Sequence, residues 1–118
     1  MLQFELPFPP TVNTYWRSLV MGKRVVVTTS KKGKEYRQNV LSLLADIDRI
    51  GDKRCSVVLE LHMPDRRRRD IDNYSKGVLD AITAAKIWDD DEQVDQLLLR
   101  RCEVCKPGKV VVTINLTK

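Results

Sequence analysis

Leu2, Phe4, Leu6 and Phe8 alternate with Gln3, Glu5 and Pro7, a period of two that predicts a β-strand with one buried face, ended by Pro9-Pro10. Segments 17–20 and 24–28 flank Met21-Gly22-Lys23, which predicts a small hairpin with a basic tip at Lys23 and Arg24. Tyr36, Val40, Leu43, Leu44 and Ile47 then recur at helical spacing, the apolar stripe of a helix that Ser30 is placed to cap. After the turn Gly51-Asp52-Lys53 the period returns to two, with Val57, Leu59, Leu61 and Met63 alternating against Ser56, Val58, Glu60 and His62. Tyr74, Val78, Ala81, Ile82 and Ala85 mark a second helix, with Asp72 or Asn73 at its N-cap. Leu97 to Val104 and Val110 to Leu116 read as two final strands, joined at Lys106-Pro107-Gly108-Lys109, whose Pro-Gly suits a type II turn. The order is strand, hairpin, helix, strand, helix, strand, strand: an α+β, two-layer fold in which a mixed β-sheet carries two helices.

At 118 residues the chain has the length of one domain, 1–118, and no repeat, low-complexity tract or linker divides it. With 42% hydrophobic and 31% charged residues the balance is that of an ordinary globular protein. The absence of a signal peptide and of an apolar run near about 18 residues sets the expectation of a cytoplasmic protein with no membrane association. Three cysteines, an odd number, argue against a disulfide framework. Cys102-x-x-Cys105 supplies two of the four ligands that structural zinc wants; Cys55 and His62 are the only other candidates, and the pair sits in a strand-like run.

Charge changes this picture. The net charge of +5 favours a polyanionic partner, yet it is unevenly divided. In Met63-Pro-Asp-Arg-Arg-Arg-Arg-Asp-Ile-Asp-Asn-Tyr-Ser-Lys76, the four adjacent arginines Arg66, Arg67, Arg68 and Arg69 stop against an Asp-x-Asp pair. Guanidinium forks suit phosphates. In an extended segment Asp70 and Asp72 leave the same face, roughly 6 to 7 Å apart at the Cα atoms, within reach of one hard cation. Lys76 follows Asp72 by four residues and shares a helix face with it if Asp72 starts the helix.

About one helix later come Asp89, Asp90, Asp91, Glu92 and Asp95, with no basic residue among them. Two carboxylates about 5 Å apart repel by roughly 3 kcal/mol at an effective dielectric near 20, so packing this cluster against Asp70 and Asp72 is costly unaided. A divalent cation removes that cost, and all-oxygen ligation points to magnesium, with manganese as a substitute, rather than zinc. Such an ion activates water and stabilises charge on a phosphoryl group. Taken singly, Asp-rich turns cap helices, arginine runs are solvated and an Asp-x-Asp is common in loops. Their combination points to a metal site beside a phosphate-binding surface, with the choice among Asp89, Asp90 and Asp91 as ligand left open.

Three further features bear on binding. Asn13, Tyr15, Trp16 and Arg17 fall in the loop after the first strand, as contacts for DNA or a partner subunit or as a loop packed on its own aromatics. Lys31, Lys32, Lys34 and Arg37 crowd a helix N-terminus, where the macrodipole disfavours cations unless an anion sits nearby. His62 is offset from the apolar face and suits a structural or supporting role, since a hydrated metal generates its own nucleophile.

The run from His62 through Met-Pro-Asp-Arg-Arg-Arg-Arg-Asp-Ile-Asp to Asn73, with Lys76, Asp80-Ala-Ile-Thr83 and Trp88-Asp-Asp-Asp-Glu-Gln-Val94, resembles the RusA family of Holliday-junction resolvases. Pro9-Pro10-x-x-Asn13-x-Tyr15-x-Arg17 extends the resemblance more weakly to nearly the whole chain. It implies that Asp70, Asp72 and Asp91 bind magnesium, with Asp90 as a further candidate, while Lys76 assists at the scissile phosphate. It implies a homodimer that cuts two opposed strands of a four-way DNA junction symmetrically and leaves ligatable nicks, in an enzyme often carried by phages and prophages. The expected DNA contacts are Arg66, Arg67, Arg68, Arg69 and Lys76 with Asn13, Arg17, Lys23, Arg24 and Asn73. Asp89 and Glu92 stand where the family pattern is expected to be apolar or small, and the region after Arg17 is less basic than the pattern. The rival readings are a non-catalytic branched-DNA-binding module and an interaction protein whose patches pair across a dimer. A Pro-Asp…(Asp/Glu)-x-Lys nuclease fails, because no Asp/Glu-x-Lys follows Pro64-Asp65 at a suitable distance.

Overall fold

In the computed structural model, residues 1–117 are described, apart from the side chains of Arg17, Leu19, Met21 and Val26. A four-stranded mixed sheet is built from β1 (Leu2–Pro7), β4 (Cys55–His62), β5 (Val94–Arg101) and β6 (Lys109–Leu116), in the order β1-β6-β4-β5. The expected α+β fold is observed. Alternation decides the sheet's faces: Cys55, Val57, Leu59 and Leu61 of β4 are buried while the residues between them are partly exposed. Leu59 pairs in register with Val112 of β6, and Val57 pairs with Ile114, so buried positions meet across the two strands. Each fully buried Val or Leu of this kind contributes roughly 1.5–3 kcal/mol.

Helices α2 (Lys31–Leu43) and α3 (Ser75–Ala84) add Tyr36, Val40, Val78, Ala81 and Ile82 to the same core as the strands. Ser30 caps α2 as expected, accepting from the Gly33 amide at 3.1 Å. The helix stops at Leu43, so Leu43 is exposed and Ile47 packs on the core from the following turn. β5 runs parallel to β4, which demands a crossover, and α3 lies within it.

Several boundaries differ from expectation. A four-residue helix α1 (Val12–Tyr15), capped by Thr11, occupies the expected loop. The hairpin β2 (Trp16–Met21) and β3 (Arg24–Thr29) forms a separate two-stranded sheet turned at Gly22, whose φ of 65° suits glycine. A 3-10 turn at Ile71–Asn73 precedes α3, and neither Asp72 nor Asn73 caps that helix. Ile71 and the buried Tyr74 both pack against the core, which draws this segment into a turn and leaves Asp72 inside it. The last two strands are not neighbours in the sheet. Gly108 N–H donates to the Cys105 carbonyl at 2.5 Å across a cis Lys106–Pro107 bond, which places Pro107 third in a type VI turn instead of the expected type II. No helix among the described residues is long and apolar enough to cross a membrane.

Candidate metal and phosphate site

The acidic turn is built from the inside outward. Lys86, with φ 65°, ends the segment after α3, and Ile87 and Trp88 go into the core. The Trp88 indole Nε1 donates to Thr83 Oγ1 at 2.6 Å, anchoring the turn to α3. Gln93 is buried and fully satisfied: its Oε1 accepts from the amides of Asp89 (3.0 Å) and Asp90 (2.9 Å), and its Nε2 donates to the carbonyls of Gly51 (2.8 Å) and Lys53 (2.7 Å). Asp90 completes a capping box around the 3-10 turn Asp91–Gln93, its Oδ1 accepting from the Glu92 amide at 3.1 Å.

The five acids therefore separate. Arg54 pairs with Asp95 at 2.7 Å and with Glu92 at 3.3 Å, Asp90 is engaged in the cap, and Asp89 is exposed. Asp91 as a residue is open to solvent, but its carboxyl is partly desolvated. That desolvation, then a hydrogen bond with Asp90 and the Asp90 charge, hold the Asp91 carboxyl above the usual range, while the Lys76 ammonium pulls it partly back. Asp91 is the member of the cluster whose carboxyl desolvation and the neighbouring Asp90 hold above the usual range.

The basic side is looser. Arg69 folds back onto Asp65, and the Arg67 amide donates to the same carboxylate at 3.0 Å. Arg69 and then the Arg67 amide push the Asp65 carboxyl down to about 2. Only 18% of the Arg69 side chain is exposed against 82% for Arg67, so the surface presents Arg66, Arg67 and Arg68 while Arg69 is held in the loop's own ion pair. Arg101, which sequence reasoning missed, donates to the Arg69 carbonyl and lines a pocket of about 350 Å³ with Arg66, Arg67, Arg68 and Asp70. Parallel pairing of Leu61 with Arg101 delivers it there, and spacing along the chain carries no sign of that.

Asp70 and Asp72 are both exposed, but Asp72 lies in the 3-10 turn, so the same-face geometry of an extended segment does not apply. Asn73 lines a pocket of about 460 Å³ with Thr11, Asp70 and Tyr74. The turn carrying Asp91 packs on α3, and that carrying Asp72 packs on β5. Lys76 stands exposed on the first turn of α3, its Nζ 5.7 Å from the Trp16 ring centroid. Asn13 is exposed on α1, Lys23 and Arg24 are exposed at the hairpin tip, and the Arg17 side chain lies outside the described residues.

Behind Lys76 is a polar cluster with no signal in the sequence pattern. The Tyr15 hydroxyl donates to Asp80 Oδ2 at 2.6 Å, and Arg37 donates to the same oxygen from Nη2 at 2.7 Å and to Thr29 Oγ1 at 3.1 Å. Burial, then the Asp80 hydrogen bond, raises the Tyr15 hydroxyl above its ordinary value. Arg37 is thereby engaged with Asp80 and Thr29, its side chain 30% exposed. Gly77 and Gly33 let α3 and α2 close on Tyr15: a Cβ on Gly77 would lie 2.9 Å from its ring, and one on Gly33 2.5 Å from its carbonyl. His62 Nδ1 is 2.8 Å from the Glu103 carbonyl, consistent with a structural role.

Among the described residues, no group of three or more His, Cys, Asp or Glu side chains is arranged to hold a metal ion. Asp70, Asp72 and Asp91 supply the hard oxygen donors that magnesium takes, an ion that commonly completes its shell with water and substrate phosphate.

The family model for the endodeoxyribonuclease RusA matches residues 7–115. A protein of Enterobacteria phage HK97 named crossover junction endodeoxyribonuclease rusA is 36% identical over 115 residues, covering 96% of this chain and 92% of that protein. Proteins of Escherichia coli K12 and Shigella sonnei with the same name are each 39% identical over 112 residues, covering 93% of this chain and 90% of theirs. With the match running through both turns of the site, this chain belongs to the RusA family of endodeoxyribonucleases.

Proposed function

We propose that this protein is a magnesium-dependent, structure-selective DNA endonuclease that resolves four-way (Holliday) junctions, cutting two opposed strands symmetrically as a homodimer. The observation that carries the reading is the meeting of the acidic turn with α3, where the repelled carboxyl of Asp91 feels the ammonium of Lys76. A surface that binds phosphate needs cations, and a carboxylate among them repels the arriving phosphate unless a metal joins the two. Asp70, Asp72 and Asp91 would hold the ion, which supplies an activated water and charge stabilisation at the phosphoryl group. Lys76 would place its ammonium on the scissile phosphate, and Arg66, Arg67 and Arg68, with Arg69 if phosphate displaces Asp65, would hold the flanking backbone. A ligatable nick requires that water attack phosphorus and the bond to the 3′ oxygen break, leaving a 5′ phosphate.

The homodimer supplies the second cut. Val20 and Val25 on the hairpin are more than 60% exposed, apolar surface of the kind a second subunit covers.

The deciding experiment offers the purified protein a labelled four-way junction and a matched linear duplex, with magnesium or EDTA, beside Asp72→Asn. Paired, ligatable nicks in the junction alone, requiring both magnesium and Asp72, are the expected result. Asp72→Asn should still bind, because removing a carboxylate reduces repulsion of phosphate. Junction binding by the wild type without nicks would replace this reading with the non-catalytic module.

A further inference from the structure

The metal and phosphate groups leave one built feature of the molecule unexplained. A cleft of about 750 Å³ opens between α1, the hairpin and the first turn of α3, lined by Val12, Asn13, Trp16, Ser18, Val27 and Lys76. Its composition is specific: an indole face, two valines, a cation, an amide and a hydroxyl. We propose that this cleft binds one unstacked nucleotide of the scissile strand, its base against the Trp16 ring and its phosphate on Lys76. The proposal rests on the reading of the chain as a junction endonuclease and adds a base-binding subsite to it.

Three observations support that occupant. The volume lies within the range of about 300–1,000 Å³ usual for small-ligand sites. A base inside a duplex offers only its edge, so a site floored by a ring face suits a base out of the stack. The Asn13 amide offers a donor and an acceptor together, the pairing that reads base edges.

The platform is also rigid. Trp16 follows directly on Tyr15, whose ring lies 4.9 Å from its own and whose hydroxyl is held on Asp80 at 2.6 Å. Gly77 presses α3 onto Tyr15, and Lys76 is the adjoining residue, so one buried clamp sets both the ring and the cation beside it. With Nζ 5.7 Å from the ring centroid, Lys76 sits over the indole in the free protein. An arriving base takes the ring face, and the ammonium exchanges a cation–π contact for a charge-assisted bond to the adjoining phosphate.

The test is a cycle between protein and DNA, run on the full chain in EDTA so that binding is read without cleavage. Junctions carrying a single abasic site are scanned through the nucleotides flanking the cut. Wild-type affinity should fall about 10-fold at one position. Trp16→Leu should lose a similar factor on intact DNA and show no further loss on the abasic junction, while Trp16→Phe keeps most of the affinity. Asn13→Ala should relax any base preference at that position without altering the effect of an abasic site elsewhere. Losses that simply multiply, with no coupling between Trp16 and any base, would overturn the subsite while leaving magnesium-dependent cleavage intact. If Trp16→Leu does not fold, the wild-type abasic scan decides alone, and a scan with no sensitive position overturns the subsite. A wild type that does not bind the junction overturns the nuclease reading and the subsite with it.

Discussion

The two turns that carry the candidate carboxylates are built in opposite ways. Around Asp91, a buried glutamine makes four hydrogen bonds, an indole is pinned to α3, and Asp90 closes a capping box. Around Asp70 and Asp72 the 3-10 turn has no side-chain cap and both carboxylates are exposed; Ile71 and Tyr74 pack it on the core, and its neighbouring polar contacts are surface ones, Asp65 with Arg69 and with the Arg67 amide. One half of the site is preorganised by interior polar bonding, and the polar contacts of the other lie at the surface. On the proposed reading, Asp91 would be the carboxylate fixed on the protein's frame, and Asp70 and Asp72 the pair on the more exposed turn. Buried polar bonds are costly to leave unmade, whereas exposed ion pairs contribute little and yield to salt.

The sharpest way to separate position from charge is the pair Asp91→Asn and Asp90→Asn. Asp91→Asn should lower junction cleavage on the order of 100-fold or more. Its melting temperature at pH 7 should hold or rise: a carboxyl whose folded pKa is raised lowers stability as pH climbs past its unfolded value, and asparagine removes that cost. Asp90→Asn keeps a good cap and should retain far more activity.

Gln93→Ala attacks the frame itself. It orphans the Asp90 amide and the Lys53 carbonyl, while the Asp89 amide and the Gly51 carbonyl keep their bond to each other at 3.1 Å, and it should reduce stability by about 2 kcal/mol or more, read by urea unfolding, with cleavage falling alongside. A loss below about 1 kcal/mol would mean the acidic turn is no better held than its partner.

On the loop side, Arg67→Ala with Arg68→Ala should weaken junction binding and flatten its salt dependence, by about one unit of slope for each phosphate that is no longer neutralised. An unchanged slope would remove these residues from the DNA interface.

The smallest effect is acid sensitivity. Arg69 holds the Asp65 carboxyl down at about 2, below its ordinary value of 3.8, so the stabilisation is present above the unfolded value and is lost as pH falls through about 2. Asp65→Asn should flatten that limb of a melting series across pH, lowering stability slightly at neutral pH, as suits an exposed pair, and leaving it unchanged at the acid end.

Period-two and helical stripes locate β1, β4, α2 and α3, because burial on one face dictates residue type position by position. Gln93 is visible in the sequence only as part of the resemblance, in the run Trp88 to Val94, with its four bonds invisible from residue type. The Tyr15, Arg37 and Asp80 cluster gives no signal, since its members lie 22 to 65 positions apart and each alone reads as an ordinary aromatic or surface charge. The short helix α1 escapes for a related reason: four residues are too few to show a period.

From sequence alone came the fold class, the opposed basic and acidic segments and the family, all of which depend on residue type and local order. Tertiary structure alone decided that Arg69 pairs with Asp65 and Arg37 with Asp80, that Arg101 joins the arginine loop, that Asp90 caps, and that Lys76 lies over Trp16. Each of these is a choice among charged side chains with equivalent local patterns. Only the packing of distant segments, which sets which carboxylate meets which cation and which is left facing solvent, makes that choice.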